Sequence, residues 1–301
     1  MHGKFYNEAV LELSLQPRTP LLIAAGAATG LDPSLPDIQF VRTHRRTETG
    51  TVEEVIYIPG SSFRGVLRSH AERLVRSISE DQACRITEKN CLQKKGEKEV
   101  DLDGPKAYKN SCFVCRLFGN TSIAARIKVS DFYPTGPLLT EIRPGVAIDR
   151  VTGSVAHGPF QMELVTDGEF MGLISLRNFT LGQMGLLAAA LMDIGDGLIP
   201  LGHGKSRGLG RVSLTIKSLT FRFLQNPNGI LKGVGALADE ETRSAYALPK
   251  PQDEVLPVPS GSKTSHERGF FLVTLETEAA KDLFERVASH WTKELQEVER
   301  K

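Results

Sequence analysis

Two glycine-bearing basic loops, far apart in the chain, carry residue types suited to a polyanion. Pro59-Gly60-Ser61-Ser62-Phe63-Arg64-Gly65 opens a stretch bearing Arg64 and Arg68 one helical turn apart. Gly202-His203-Gly204-Lys205-Ser206-Arg207-Gly208-Leu209-Gly210 lies far downstream. Glycines let a backbone approach a phosphate closely, and cationic side chains add charge-assisted hydrogen bonds. A helix start offers unpaired N–H groups and the positive end of its dipole. The second loop is not a nucleotide-binding P-loop, because Ile199 stands where the first glycine of that motif would fall. Either loop alone also reads as ordinary structure: a tight turn with surface charge, or a capped helix with a solvated basic face.

The cysteines form a second constellation. Cys84-x6-Cys91 and Cys112-x2-Cys115 put four thiols within 32 positions, around a polar, lysine-rich segment. The second pair has a zinc-knuckle spacing, and the first is looser. Four thiolates would close a tetrahedral Zn²⁺ shell, which makes the role structural and lets the metal staple a segment without a core of its own. The other reading is free thiols, with Cys112 and Cys115 packed beside Phe113, Val114, Leu117 and Phe118. Among acids, Asp32 and Asp37 precede the run Arg42, Arg45, Arg46. An exposed aspartate beside arginines can bind a divalent ion or help a 2′-hydroxyl attack its neighbouring phosphate. Asp-Pro-Ser and Pro-Asp equally suit Asx turns. No histidine–carboxylate pair is evident, and His44 and His70 read as lone histidines.

Composition limits the classes. The 301 residues carry 40% apolar residues and a net charge of +1, so a basic surface must be local. Met1–Ser14 lacks the pattern of a signal peptide, and no apolar run approaches the roughly 18 residues of a membrane span. A soluble, cytoplasmic protein without a membrane partner is expected, its cysteines reduced or metal-bound.

Periodicity supplies the elements that would position these residues. Strands are expected at 9–15, 54–58, 125–132, 169–176 and 211–224, and helices from Ser61 or Ser62 to about Ser79 and over 181–194. Thr140–Val165 reads as a projecting hairpin. Strand, helix, two strands, helix, strand is a ferredoxin-like order. The expected α+β organisation is a palm over 1–80 and 116–224. It is interrupted by a zinc-binding insertion at 81–115 and by the hairpin at 140–165. A linker and a late strand and helix follow over 225–301.

In order, these pieces resemble the RAMP superfamily, and within it the guide-binding backbone subunit (Cas-seven group) of type III CRISPR effector complexes. The resemblance rests on Ile56–Gly65, Cys115–Gly119, Arg126–Asp131, Ala147-Ile148-Asp149-Arg150-Val151-Thr152-Gly153, Gln161-Met162-Glu163 and Leu201–Gly210. It implies a modified RRM-like palm with a thumb hairpin, bound to crRNA and target RNA. Partners would be further copies or paralogues, the large signature subunit and the small subunits. It implies RNA contacts at Arg42, Ser61, Ser62, Arg64, Arg68, Arg150, Thr152, Gly204, Lys205, Ser206 and Arg207. It also implies Mg²⁺- or Mn²⁺-dependent endoribonuclease cleavage of target RNA at Asp37, with Asp32 as the second candidate. Gln39 stands where the family commonly has proline. Some members of the superfamily lose the acid and serve as non-catalytic scaffolds. Others process repeat RNA without metal.

Overall fold

The computed structural model describes residues 3–26, 35–46, 50–85, 91 and 103–299. In β1 (Asn7–Pro17), Leu11, Leu13 and Leu15 are fully buried, while Glu12 and Gln16 are exposed on the other face. This is the period of a strand with one covered face. A crossing segment leads to a separate two-stranded ribbon, β2 (Arg42–Arg46) and β3 (Val52–Ile56). The chain then enters α1 (Gly60–Arg76), which buries Phe63, Leu67, Ala71 and Val75 at helical spacing. The expected serine cap does not start this helix. Pro59 is the N-cap, and Asp131, 71 residues away in sequence, accepts the Gly60 N–H at 2.8 Å.

Two short helices follow, α2 (Gly104–Asn110) and α3 (Phe113–Phe118). The boundary expected between 115 and 116 therefore falls inside α3. Phe113 and Leu117 are fully buried in the same core as β1, so the second cysteine pair belongs to the main body. Next come β4 (Ile127–Val129), β5 (Tyr133–Pro134), the hairpin of β6 (Leu139–Ile148) and β7 (Val155–Asp167), and β8 (Phe170–Arg177). Thr180 and Gln183 form a reciprocal capping box that opens α4 (Leu181–Gly195). β9 (Val212–Phe223) completes the series.

Residues 226–266 are not a linker. β10 (Ile230–Lys232) pairs with β11 (Val255–Pro257), and α5 (Val234–Leu237) and α6 (Glu240–Tyr246) lie between them. β12 (Lys263–Glu267) then starts a hairpin with β13 (Phe270–Glu276). Single anchors such as Leu231, Val234 and Leu248 are buried, which holds short elements without any periodic run. The expected terminal helix is two helices, α7 (Thr277–Val287) and α8 (His290–Glu299).

The main sheet is antiparallel in the order β12–β13–β9–β1–β8–β4, with β5 also on β8. Its Leu11–Leu13–Leu15 face is covered by α1, α4 and α7. α7 approaches α4 closely at Gly185, where an added Cβ would stand 2.4 Å from the Val287 carbonyl oxygen. On the opposite face, buried Glu8 pairs with Arg177 at 2.8 Å and Arg222 at 2.5 Å.

Candidate nucleic-acid interface and metal centre

The two sequence-distant basic loops meet. Ser62, Gly65 and Ser69, successive along one face of α1, line a groove opposite Gly202, His203 and Lys205. The loop is pinned by His203 N–H to the Leu22 carbonyl (2.7 Å), Gly210 N–H to Pro20 (2.9 Å) and Leu201 N–H to Gly210 (2.8 Å). Gly202 (φ +73°) and Gly210 (φ +87°) hold left-handed backbone. A Cβ on either would stand about 2 Å from a carbonyl oxygen, of Leu22 and Leu201 respectively, so both positions need glycine. Between them Lys205, Ser206 and Arg207 form one exposed 3₁₀ turn beginning after Gly204. Among the described residues no carboxylate pairs with Lys205 or Arg207. Arg207 lies 3.2 Å from the His203 ring.

The arginines of α1 turn the other way. Arg64 donates to the Phe118 carbonyl and lies over its ring, and burial lowers its pKa. Arg68 donates to Glu72 (2.8 Å), to the Gly119 carbonyl (3.0 Å) and to the Cys115 sulfur (3.4 Å). Arg76 holds the Ala83 carbonyl. Of the α1 arginines expected to reach solvent or ligand, Arg64, Arg68 and Arg76 are half-buried and end on backbone carbonyls, while Arg73 is exposed. Ser61 and Ser62 are exposed at the first turn of α1.

That turn carries the cysteines. Cys112 caps α3, and its sulfur accepts the Cys115 N–H at 3.4 Å. Cys91 accepts the Cys112 N–H at 3.3 Å, and the Cys84 and Cys115 sulfurs are 3.5 Å apart. All four sulfurs lie within 4.8 Å of one another. A tetrahedral Zn²⁺ with bonds of about 2.3 Å needs sulfurs about 3.8 Å apart, so the set fits such an ion. The sulfurs titrate together. Cys112, accepting from Cys115, is held low, while Cys115 and Cys91 are pushed up by their bonds to it. Among the described residues this is the one group of three or more His, Cys, Asp or Glu with ligand atoms so close.

Asp37 lies against the middle of β7 in the β6–β7 hairpin. Its carboxylate is exposed and accepts the Gln161 N–H at 2.7 Å. Ile38 bridges Met162, and buried Glu163 accepts the Phe40 N–H at 3.0 Å. Glu163 also binds Arg42 through both carboxylate oxygens, one at 2.8 Å. Arg42 is therefore engaged as a strut, and Gln161-Met162-Glu163 acts as the cradle of the Asp37 segment. Asp32 lies outside the described residues. At the hairpin tip Asp149 accepts N–H groups of Val151 (2.8 Å) and Thr152 (2.7 Å) and the Thr152 hydroxyl (3.0 Å), which depresses its pKa. Arg150 and Thr152 are exposed there.

Some groups escaped the sequence reading. His70 and Asp193 form a histidine–carboxylate pair at 2.5 Å that ties α1 to α4, and His70 is only 7% exposed. Two partners 123 residues apart leave no local signal. Under the first turn of α4, Glu254 accepts the Leu181 and Gly235 N–H groups, and Glu294 packs against Gly182. Burial pushes Glu254 well up and Glu294 up to about 7.

No helix of the described residues is long and apolar enough to cross a membrane. No curated protein matches the chain. A family model, the RAMP superfamily, matches residues 14–213, about two thirds of the sequence, from β1 through the glycine loop to the start of β9. The chain belongs to the RAMP superfamily, whose members bind RNA in CRISPR-associated complexes and include some endoribonucleases.

Proposed function

We propose that this chain is a guide-RNA-binding backbone subunit of a type III CRISPR complex, and that it cleaves target RNA with the help of a divalent ion. The observation that carries the RNA-binding part is the groove between α1 and the glycine loop, with Lys205 and Arg207 exposed beside it. Hydroxyls, glycine backbone and exposed cations fit a sugar–phosphate chain and read no base edges. The series β1, α1, β4, β8, α4, β9 with sheet order β9–β1–β8–β4 supports the reading of an RRM-like, ferredoxin-like palm. The β6–β7 hairpin then plays the thumb, with Arg150 and Thr152 at its tip beside Val151, which is 94% exposed.

For cleavage, Asp37 is the residue of choice. Its hard, exposed carboxylate oxygens suit Mg²⁺ or Mn²⁺. Among the described residues no cluster of further acidic ligands joins it, so RNA phosphate oxygens and water would complete the shell. Such an ion supplies charge stabilisation at the phosphate under attack by the adjacent 2′-oxygen. The Gln161 N–H orients Asp37, and the Glu163–Arg42 pair holds the segment that carries it.

The test is target-RNA cleavage by the assembled complex carrying wild-type or Asp37→Ala protein, with Mg²⁺ and with EDTA. Regular cuts that vanish with the substitution or the chelator, while target binding persists, are expected. Normal cutting by the variant removes Asp37 from the chemistry. A second reading, a scaffold without chemistry, is favoured by Arg42 being tied to Glu163. It predicts binding without cuts in every lane. Metal-free repeat processing ranks last: among the described residues the histidine bonded to a carboxylate is His70, which is buried between helices, and the exposed His203 of the groove has an arginine beside it instead.

A further inference from the structure

At the start of α1, the helix that lines the groove, two tyrosines stack. The rings of Tyr57, which follows β3, and Tyr133, in β5, are 5.9 Å apart and inclined by 16°. The Arg45 guanidinium lies 4.5 Å from the Tyr133 ring centre. Both rings are half-buried, and Arg45 is exposed. Their position is fixed by the same residues that start the helix. Tyr57 precedes Gly60 by three positions. The Tyr133 hydroxyl lies 3.4 Å from Asp131, whose other carboxylate oxygen takes the Gly60 N–H. Ser62, in the first turn from that point, lines the groove.

A comparable arrangement elsewhere has a different charge balance. Arg222 lies over Phe270 and Arg177 over Phe5, but both arginines are bonded to the single buried carboxylate of Glu8. Arg45 has no carboxylate partner among the described residues. A guanidinium with no bonded carboxylate among the described residues, on a half-open tyrosine stack at the start of the helix that lines the groove, is the chemistry that holds unpaired RNA bases: rings and guanidinium planes stack on the base while cations track the backbone.

We infer that Arg45, Tyr133 and Tyr57 form a stacking platform for one unpaired RNA base whose backbone runs into the groove of Ser62 and Lys205. The inference rests on the RNA-binding reading above. The full-length protein would be titrated with single-stranded oligoribonucleotides carrying a fluorescent adenine analogue at successive positions. One position should be quenched on binding. Tyr57→Leu with Tyr133→Leu should abolish that quenching and weaken binding about tenfold, with the salt slope unchanged. Tyr57→Phe with Tyr133→Phe should retain both, which separates loss of the rings from loss of the fold. Placing the analogue in the strand bound first, or in an added complementary strand, tells a guide base from a target base. Salt-sensitive binding with no quenched position, or quenching that survives the leucine pair, overturns the platform and leaves the groove standing. Failure to bind any RNA overturns both.

Discussion

Two faces of one helix use their polar residues in opposite ways. Toward the glycine loop, α1 presents Ser62, Gly65 and Ser69, small side chains that leave a groove, and the cations opposite them are exposed. Toward the cysteine turn, α1 presents Arg64 and Arg68, long side chains that cross the gap and end on carbonyls and a sulfur. Positive charge lies on both sides, on the loop opposite one face and on the helix itself at the other, and it is exposed only on the loop side. A cation beside an element with uncapped carbonyls becomes part of the fold. A cation on a turn pinned at its ends by backbone bonds, as between Gly202 and Gly210, stays exposed.

The strongest way to break this contrast is to empty the cysteine centre. Arg68 bonds the Cys115 sulfur and the Gly119 carbonyl together, so losing the centre would free one face of α1 and leave the other intact. The purified protein should carry about one zinc per chain. Chelation, or Cys112→Ser, should lower Tm by on the order of 10 °C, because a structural zinc is coupled to folding. Protein with no bound metal and unchanged melting would show that the four sulfurs are only packed thiols.

An acid turned inward extends the same distinction. Burial lifts Glu294 from its ordinary value near 4.5 to about 7. Between those values the folded chain holds a proton that the unfolded chain has released. Stability from this group is therefore full below about pH 4.5 and is lost as pH rises to about 7, then flat. Glu294→Gln should reduce the stability difference between pH 5 and pH 8 by on the order of 2 kcal/mol, read from urea midpoints. An unaltered pH profile would mean that Glu294 sits in water and α8 is not docked on α4 as described.

Local pattern explains what the sequence could tell. Leu11, Leu13 and Leu15 alternate, and Phe63, Leu67, Ala71 and Val75 recur at helical spacing, so β1 and α1 are readable without a structure. Cys112-x2-Cys115 is readable for a similar reason, since one helical turn closes the pair. The two glycine-bearing loops could be singled out by composition. Side-chain direction could not. That Arg68 ends on Cys115 depends on α3 packing beside α1, and that Asp131 caps α1 depends on β4 running alongside it. The segment 226–266 misled because proline, glycine and serine there separate short ordered elements rather than marking a loose chain. Only scattered anchors such as Leu231 and Leu248, and the buried Glu254, betray that it packs.

The finest test substitutes one cation on each face. Arg68→Ala removes three charge-assisted bonds, to Glu72, the Gly119 carbonyl and the Cys115 sulfur, at a cost of about 2 kcal/mol in stability. Part of any loss of RNA binding by that variant would then be recovered under conditions that restore its fold. Lys205→Ala takes away a side chain that makes no ion pair among the described residues, so stability should stay within about 0.5 kcal/mol. Its effect should appear in RNA binding, with the slope of log affinity against log salt falling by about one contact for every base composition tried. The decisive quantity is the crossing of the two effects. If Lys205→Ala melts early, the glycine loop is itself held by its lysine and the groove is structural. If Arg68→Ala leaves stability intact but reduces the salt slope, Arg68 leaves the cysteine turn when RNA arrives, and the division between the two faces of α1 holds only for the free protein.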